Sequence, residues 1–255
     1  MTKFSLLIVL SLISYSFANG QKKTKSIPEP KKVETTATQN LDSTISNDEK
    51  YFIQYLTRKQ TISTRWNDFE VTKDALYDLI LRYPENDSLL LSLATIYYEN
   101  GKYPSSILVC NDLLARSPKN IAALELSGLS YENLNIYDKA LQNFESHFLI
   151  TNNSQVLYKM AFLQLKLKRY QEVINNTDIL LSRKDADTVK IVFNDSQNIP
   201  KEYPMKVALL NLKGVVYKEQ SDFVNAKKFF KEALAVAPDF QLAKDGISEI
   251  EKPPK

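Results

Sequence analysis

Residues 210–238 read LNLKGVVYKEQSDFVNAKKFFKEALAVAP, and their reading decides the fold. The informative positions are Leu210, Gly214, Tyr217, Ala226, Phe230, Ala233 and Pro238. Stepping backward, the same slots hold Leu90, Ala94, Tyr97, Ser106, Cys110, Leu113 and Pro118, and then Leu124, Gly128, Tyr131, Ala140, Phe144, His147 and Asn152. The pattern recurs about every 34 residues, the period of a stacked repeat. A further match starts near Ser154, with Leu157, Met160, Ala161, Tyr170, Val173 and Leu180 in register. It departs from the pattern at Gln164 and Val173, where Tyr and Ala stand elsewhere.

Each unit carries two apolar runs at helical spacing around a short polar break, as in Leu89 to Glu99, Asn100-Gly101-Lys102, and Tyr103 to Arg116. That predicts two antiparallel helices. Gly101 tolerates positive φ in the turn, and Pro104 sits at the start of the second helix, where its missing N–H costs nothing. Ala94, Gly128, Ala161 and Gly214 share a slot that must be small if the two helices approach closely there. Tyr97, Tyr131 and Tyr217 then fill the space between one hairpin and the next, so an isolated hairpin would leave an apolar face in water.

These slots resemble the tetratricopeptide repeat. The resemblance implies an all-α, right-handed solenoid of stacked antiparallel hairpins, with repeats at 87–120, 121–153, 154–183 and 207–240 inside a domain spanning 47–252. Phe69, Leu76, Leu79 and Pro84 fit the second helix of an earlier unit, whose first helix would lie in Tyr51 to Lys59, with Gln60 to Asn67 as an unusually long loop. Phe240 to Lys252 reads as the polar helix that caps such arrays.

The resemblance also implies a site. First helices line a concave groove, and the exposed slots fall on Ser88, Leu91, Thr95, Tyr98 and Glu99; Ala122, Glu125, Leu129, Glu132 and Asn133; Gln155, Tyr158, Phe162, Leu165 and Lys166; and Ala208, Asn211, Val215, Lys218 and Glu219. This is not the Lys and Asn clamp that family members use for a terminal carboxylate. Leu91, Tyr98, Leu129, Tyr158, Phe162, Leu165 and Val215 suggest instead an apolar, aromatic surface for an extended peptide or a partner helix. The bland alternative is that Phe162 and Leu165 face neighbouring helices.

Export is expected from the N-terminus. Met1-Thr2-Lys3 is a short basic start, Phe4 to Phe17 is mostly apolar, and Ser16-Phe17-Ala18 has small residues at the positions a signal peptidase reads. Cleavage falls after Ala18 or, alternatively, after Gly20. The run is shorter than the roughly 20 residues that span a bilayer, and no later stretch is long and apolar enough, so no transmembrane segment is expected once the leader is removed. Residues 19–46, rich in Lys, Thr, Ser and Pro, lack the apolar surface to offset ordering entropy and read as a tether. Its lysines 22, 23, 25, 31 and 32 offer a contact to an anionic envelope surface or serve only as a solubilising spacer. Ser46-Asn47-Asp48-Glu49 forms a capping box that starts the folded domain.

Residues 184–206 break the period. Thr188 to Phe193 is a β-branched, strand-like run, and Pro200 and Pro204 follow. Such an insertion either presents a binding loop or strand edge, or tucks Ile191 and Phe193 onto adjacent helices.

Chemistry is sparse. With 44% apolar residues over 255, the chain can bury a continuous core, and a net charge of +3 without a basic stripe argues against nucleic acid. The single His147 precludes a two-histidine metal site within one chain, and the five scattered glycines write no phosphate-binding loop. The single Cys110 forms no intrachain disulfide and reads as a buried thiol. Asp185, Asp187 and Asp195 lack the glycine and later Glu of a calcium loop. No catalytic residue, cofactor or metal is therefore expected. Two functions remain: an exported scaffold holding a protein or peptide in the groove, and a structural or carbohydrate-binding module of the cell envelope acting through the tether and polar helix faces.

Overall fold

The computed structural model describes residues 46–194 and 199–252. The expected leader and nearly all of the tether lie outside the described residues. Ten helices pair into five hairpins: α1 (Asn47–Arg65) with α2 (Phe69–Arg82), α3 (Asp87–Glu99) with α4 (Tyr103–Arg116), α5 (Ile121–Asn133) with α6 (Tyr137–Thr151), α7 (Ser154–Lys166) with α8 (Tyr170–Ser182), and, after an insertion, α10 (Met205–Glu219) with α11 (Phe223–Val236). The insertion holds the one-turn helix α9 (Asp185–Thr188) and strands β1 (Lys190–Asn194) and β2 (Pro200–Pro204), and α12 (Gln241–Glu251) closes the array.

One backbone device makes every hairpin. Asn67, Gly101, Asn135, Lys168 and Ser221 all adopt positive φ, between 55° and 68°, at the turn between first and second helix. The next residue's N–H then bonds the carbonyl five residues back, in Asp68 to Ser63, Lys102 to Tyr97, Ile136 to Tyr131, Arg169 to Gln164 and Asp222 to Tyr217, at 2.8–2.9 Å. This is the left-handed helix stop in which the carbonyls of the last turn find donors without a long loop. Gly101 suits the turn best by residue type, and Asn67 and Asn135 are the next most tolerant of it, whereas Lys168 and Ser221 are not marked by type.

The same device corrects the reading of the first unit. Gln60 to Asn67 is not a long loop, because α1 continues to Arg65 and turns at Asn67 as its sister hairpins do. Ser63 stands where Tyr97, Tyr131 and Tyr217 stand later, its hydroxyl donates to the Lys59 and Gln60 carbonyls, and it accepts from Thr72 Oγ1 at 2.8 Å. A buried hydroxyl pair thus replaces the aromatic filler, which is why this repeat lacks the expected pattern. The Ser46 cap also forms only half of its box. Ser46 Oγ accepts from the Glu49 N–H, whereas the Glu49 carboxylate turns to Arg82 at 2.5 and 2.9 Å and to Tyr83 Oη at 2.8 Å.

The small slot behaves as steric reasoning requires. Ala94 and Ala161 are fully buried, and a Cβ built on Gly128 or Gly214 would lie 2.8 Å from Phe144 or 2.5 Å from Phe230. Large rings in the second helices press directly on the first-helix backbone. Cys110 is fully buried in the central core, with its thiol pushed up to about 12 by burial, and His147 is buried with its imidazole pKa lowered for the same reason.

The insertion tucks inward. The β1–β2 hairpin is antiparallel, with Phe193 opposite Lys201 and Ile191 opposite Tyr203. Phe193, Tyr203 and Phe240 form a ring triangle with centroids 4.9–6.4 Å apart, while Ile191 packs on the central core. Met205 N–H bonds the Val189 carbonyl at 2.8 Å, so the excursion leaves and returns at one point and α10 packs on α8 as the next first helix. Asp185 accepts from Ser154 Oγ and Asp187 pairs with Lys206, whereas Asp195 lies outside the described residues.

Candidate partner-binding groove

Corresponding slots of α3, α5, α7 and α10 form three rows along the face that the resemblance assigns to the groove. The first row is Leu91, Glu125, Tyr158 and Asn211, the second Thr95, Leu129, Phe162 and Val215, and the third Tyr98, Glu132, Leu165 and Lys218. Leu91, Tyr158, Leu165 and Val215 are half-buried, but Tyr98, Leu129 and Phe162 are only 6, 9 and 9% exposed. The expected open apolar surface is therefore corrected at these three positions. Tyr98 lies edge-on against Tyr103 at 5.5 Å and accepts from Asn133 Nδ2 at 3.4 Å, and Leu129 sits in the central core with Leu126, Val156 and Met160. Phe162 is roofed by the Lys166 ammonium, 5.2 Å from its ring centre. In each case the next first helix or the next turn closes over the side chain.

What remains on this face is more polar than the residue types suggest. Lys159 bonds both Glu132 oxygens at 3.1 and 3.2 Å, and the two side chains are only 11 and 18% exposed. Desolvation pushes the Glu125 carboxyl up, the Lys159 charge opposing, and burial likewise pushes up the Tyr158 phenol. Asn211 Oδ1 is buried without a hydrogen-bond donor among the described residues. Glu125, Glu132 and Asn211 are visible in the repeat register, but Lys159 is not, because it lies outside the family's groove slots. Its role follows from the reach of a lysine across to the preceding first helix.

The raised Glu125 carboxyl sets a pH dependence. A folded-state pKa above the unfolded one means that the native state binds more protons between the two values, so this residue's contribution to stability declines as pH rises through that window. Glu125→Gln is expected to be more stable than wild type at neutral pH and to show a flatter stability profile across the acidic range. Urea melts of both proteins from pH 4 to 7 check this, and parallel profiles would count against it.

Two further findings bear on the face as a whole. Among the described residues no three His, Cys, Asp or Glu side chains converge as metal ligands, and no helix is long and apolar enough to cross a membrane. A shallow cleft of about 490 Å³ lined by Leu234, Lys244, Ile247 and Glu251 lies between α11 and α12.

Family models match most of the repeat region. Residues 77–192 match the C-terminal ARM domain of tetratricopeptide repeat protein 21, and residues 207–240 match a tetratricopeptide repeat. The matched residues form an array of tetratricopeptide-type repeats. Solved structures agree in fold. A tetratricopeptide repeat protein from Parabacteroides merdae superposes with a TM-score of 0.61 at 17% identity, covering 78% of this chain and 72% of that one. A MamA protein gives 0.57 at 13% identity over 81 and 99% of the two chains, and MamA from Desulfovibrio magneticus gives 0.57 at 11% over 74 and 97%. No curated protein matches the chain. At such identities the likeness carries the fold of this tetratricopeptide-repeat protein, and its ligand must be argued from its own groove.

Proposed function

We propose that this protein is an exported, non-enzymatic scaffold that holds a partner's peptide segment along the first-helix face. The observation that carries the reading is the Leu91, Glu125, Tyr158, Asn211 row. Two acceptors, one of them a buried amide oxygen without a donor and the other a desolvated carboxylate, alternate there with apolar side chains. A buried acceptor left unpaired costs free energy that a ligand donor recovers, which fits a segment offering backbone N–H groups or a basic side chain beside an apolar one. Tetratricopeptide repeats generally mediate protein interactions. Export rests on the leader-like residues 1–18.

The test is a photoreactive residue placed at Gln155 on the groove face and, separately, at the exposed Lys139 on α6. In the native cell, Gln155 is expected to crosslink a defined protein and Lys139 not, and Glu125→Lys should abolish the adduct while the helical circular dichroism is retained. Equal labelling from both positions, or an adduct indifferent to Glu125→Lys, would remove the groove from the reading. The recovered protein's intact mass reports export, since it should begin at Asn19, and an unprocessed mass would reject cleavage.

A further inference from the structure

Among the described residues the first helix ends the array, and its outer side is not uniformly polar. At 100° per residue, Leu56 and Ser63 point into α2, while Gln54, Thr57, Thr61 and Thr64 form a polar strip. Between these lies a third sector holding Asp48, Tyr51, Tyr55, Arg58, Ile62 and Arg65. Tyr51 and Tyr55 are 72 and 56% exposed there, and the neighbouring Trp66 is 74% exposed. The spacing alternates three and four, which is the seam of a two-stranded coiled coil. Among the described residues α12, at the opposite end, presents no such seam: it turns Ala243 and Gly246 inward and leaves Lys244, Asp245, Ser248 and Glu249 exposed.

We propose that this seam pairs with the same helix of a second copy, antiparallel, about a twofold axis level with the bond between Leu56 and Thr57. The register follows from self-complementarity, which an isologous contact requires. Asp48 meets the partner's Arg65, Tyr51 meets the partner's Ile62, and Tyr55 meets the partner's Arg58 with a guanidinium over a phenol ring. Each layer occurs twice. An antiparallel pairing also sets the acidic first turn, Asp48 and Glu49, beside the opposite helix end with Arg65, so the helix dipoles are aligned favourably. A parallel pair would stack Arg58 on Arg58 and Asp48 on Asp48. One helix pair covers less than the roughly 800 Å² per partner of a standard stable interface, so the dimer is weak, in the micromolar range. This contact is independent of the groove and leaves the first-helix face of α3 to α10 free.

Sedimentation velocity of the purified full-length chain across a concentration series tests it. Wild type is expected to pass from monomer to dimer, and the emission of Trp66, the single tryptophan, to shift to the blue over the same range. Tyr51→Lys with Tyr55→Lys should weaken the dimer at least tenfold. Asp48→Lys or Arg65→Asp alone should weaken it about fivefold, and the two together should restore affinity to within about twofold of wild type. A monomer up to about 500 µM, where a dimer of micromolar affinity would be largely formed, would overturn the proposal. So would a dimer unmoved by the tyrosine substitutions, or a charge exchange that fails to rescue, provided circular dichroism shows each variant folded.

Discussion

Gly214→Val is expected to destabilise the C-terminal end of the array by about 3 kcal/mol or more, the upper range for overpacking a filled core. The Phe230 ring is fully buried and clamped from both sides. A Cβ on Gly214 would lie 2.5 and 2.6 Å from its Cε1 and Cδ1, and a Cβ on Gly246 would lie 2.6 Å from its Cζ. A ring pressed on one side by α10 and on the other by α12 has no direction in which to yield, so the helices themselves must part. Gly214→Ala should cost about 1–3 kcal/mol, and Phe230→Leu in that background should return part of the loss, a coupling that a double-mutant cycle reads directly. Gly101→Ala is the control, because nothing lies within 4 Å of its Cβ and only its φ of 68° resists the change. Urea unfolding of the set decides the matter. A Gly214→Val midpoint close to that of wild type would mean that α10, α11 and α12 are less tightly joined than their geometry indicates.

Phe144→Ala is expected to remove about 3–5 kcal/mol, the range for emptying a buried phenylalanine site, and also to change the character of unfolding. Phe144 is 1% exposed, packs on the Gly128 backbone and belongs to the core shared by α3 to α10. In a solenoid each hairpin contacts only its neighbours, so stability is close to a sum of local terms and nearest-neighbour interfaces. A weak central hairpin therefore uncouples the two ends, where an equal loss at an end merely frays it. The urea transition should broaden or split, and limited proteolysis should cut first between α5 and α7. A single transition that shifts without broadening would show that coupling extends beyond nearest neighbours.

The groove was less legible than the fold, and particular residues show why. Phe162 and Tyr158 stand in groove slots of the same repeat, yet one is closed over by Lys166 and the other is half-buried. Repeat register assigns both to one face, but the tightness with which consecutive first helices approach decides which side chains stay accessible. The Glu132–Lys159 pair escaped for a related reason, since it joins two repeats and has no counterpart within one. The first hairpin was misread because Ser63 and Thr72 satisfy each other where an aromatic ring is the visible mark.

The amino-acid sequence by itself determined the hairpin, its period, the small slots facing Phe144 and Phe230, and the capping helix. These depend on local spacing and on the volume of a few side chains, both of which are written one residue at a time. Tertiary structure alone decided that Lys168 and Ser221 share the turn of Gly101, that the insertion folds onto Phe240, and that Glu125 is desolvated. Those outcomes depend on what a neighbouring repeat places against a residue, and the free energy of that contact exists only once the hairpins are stacked.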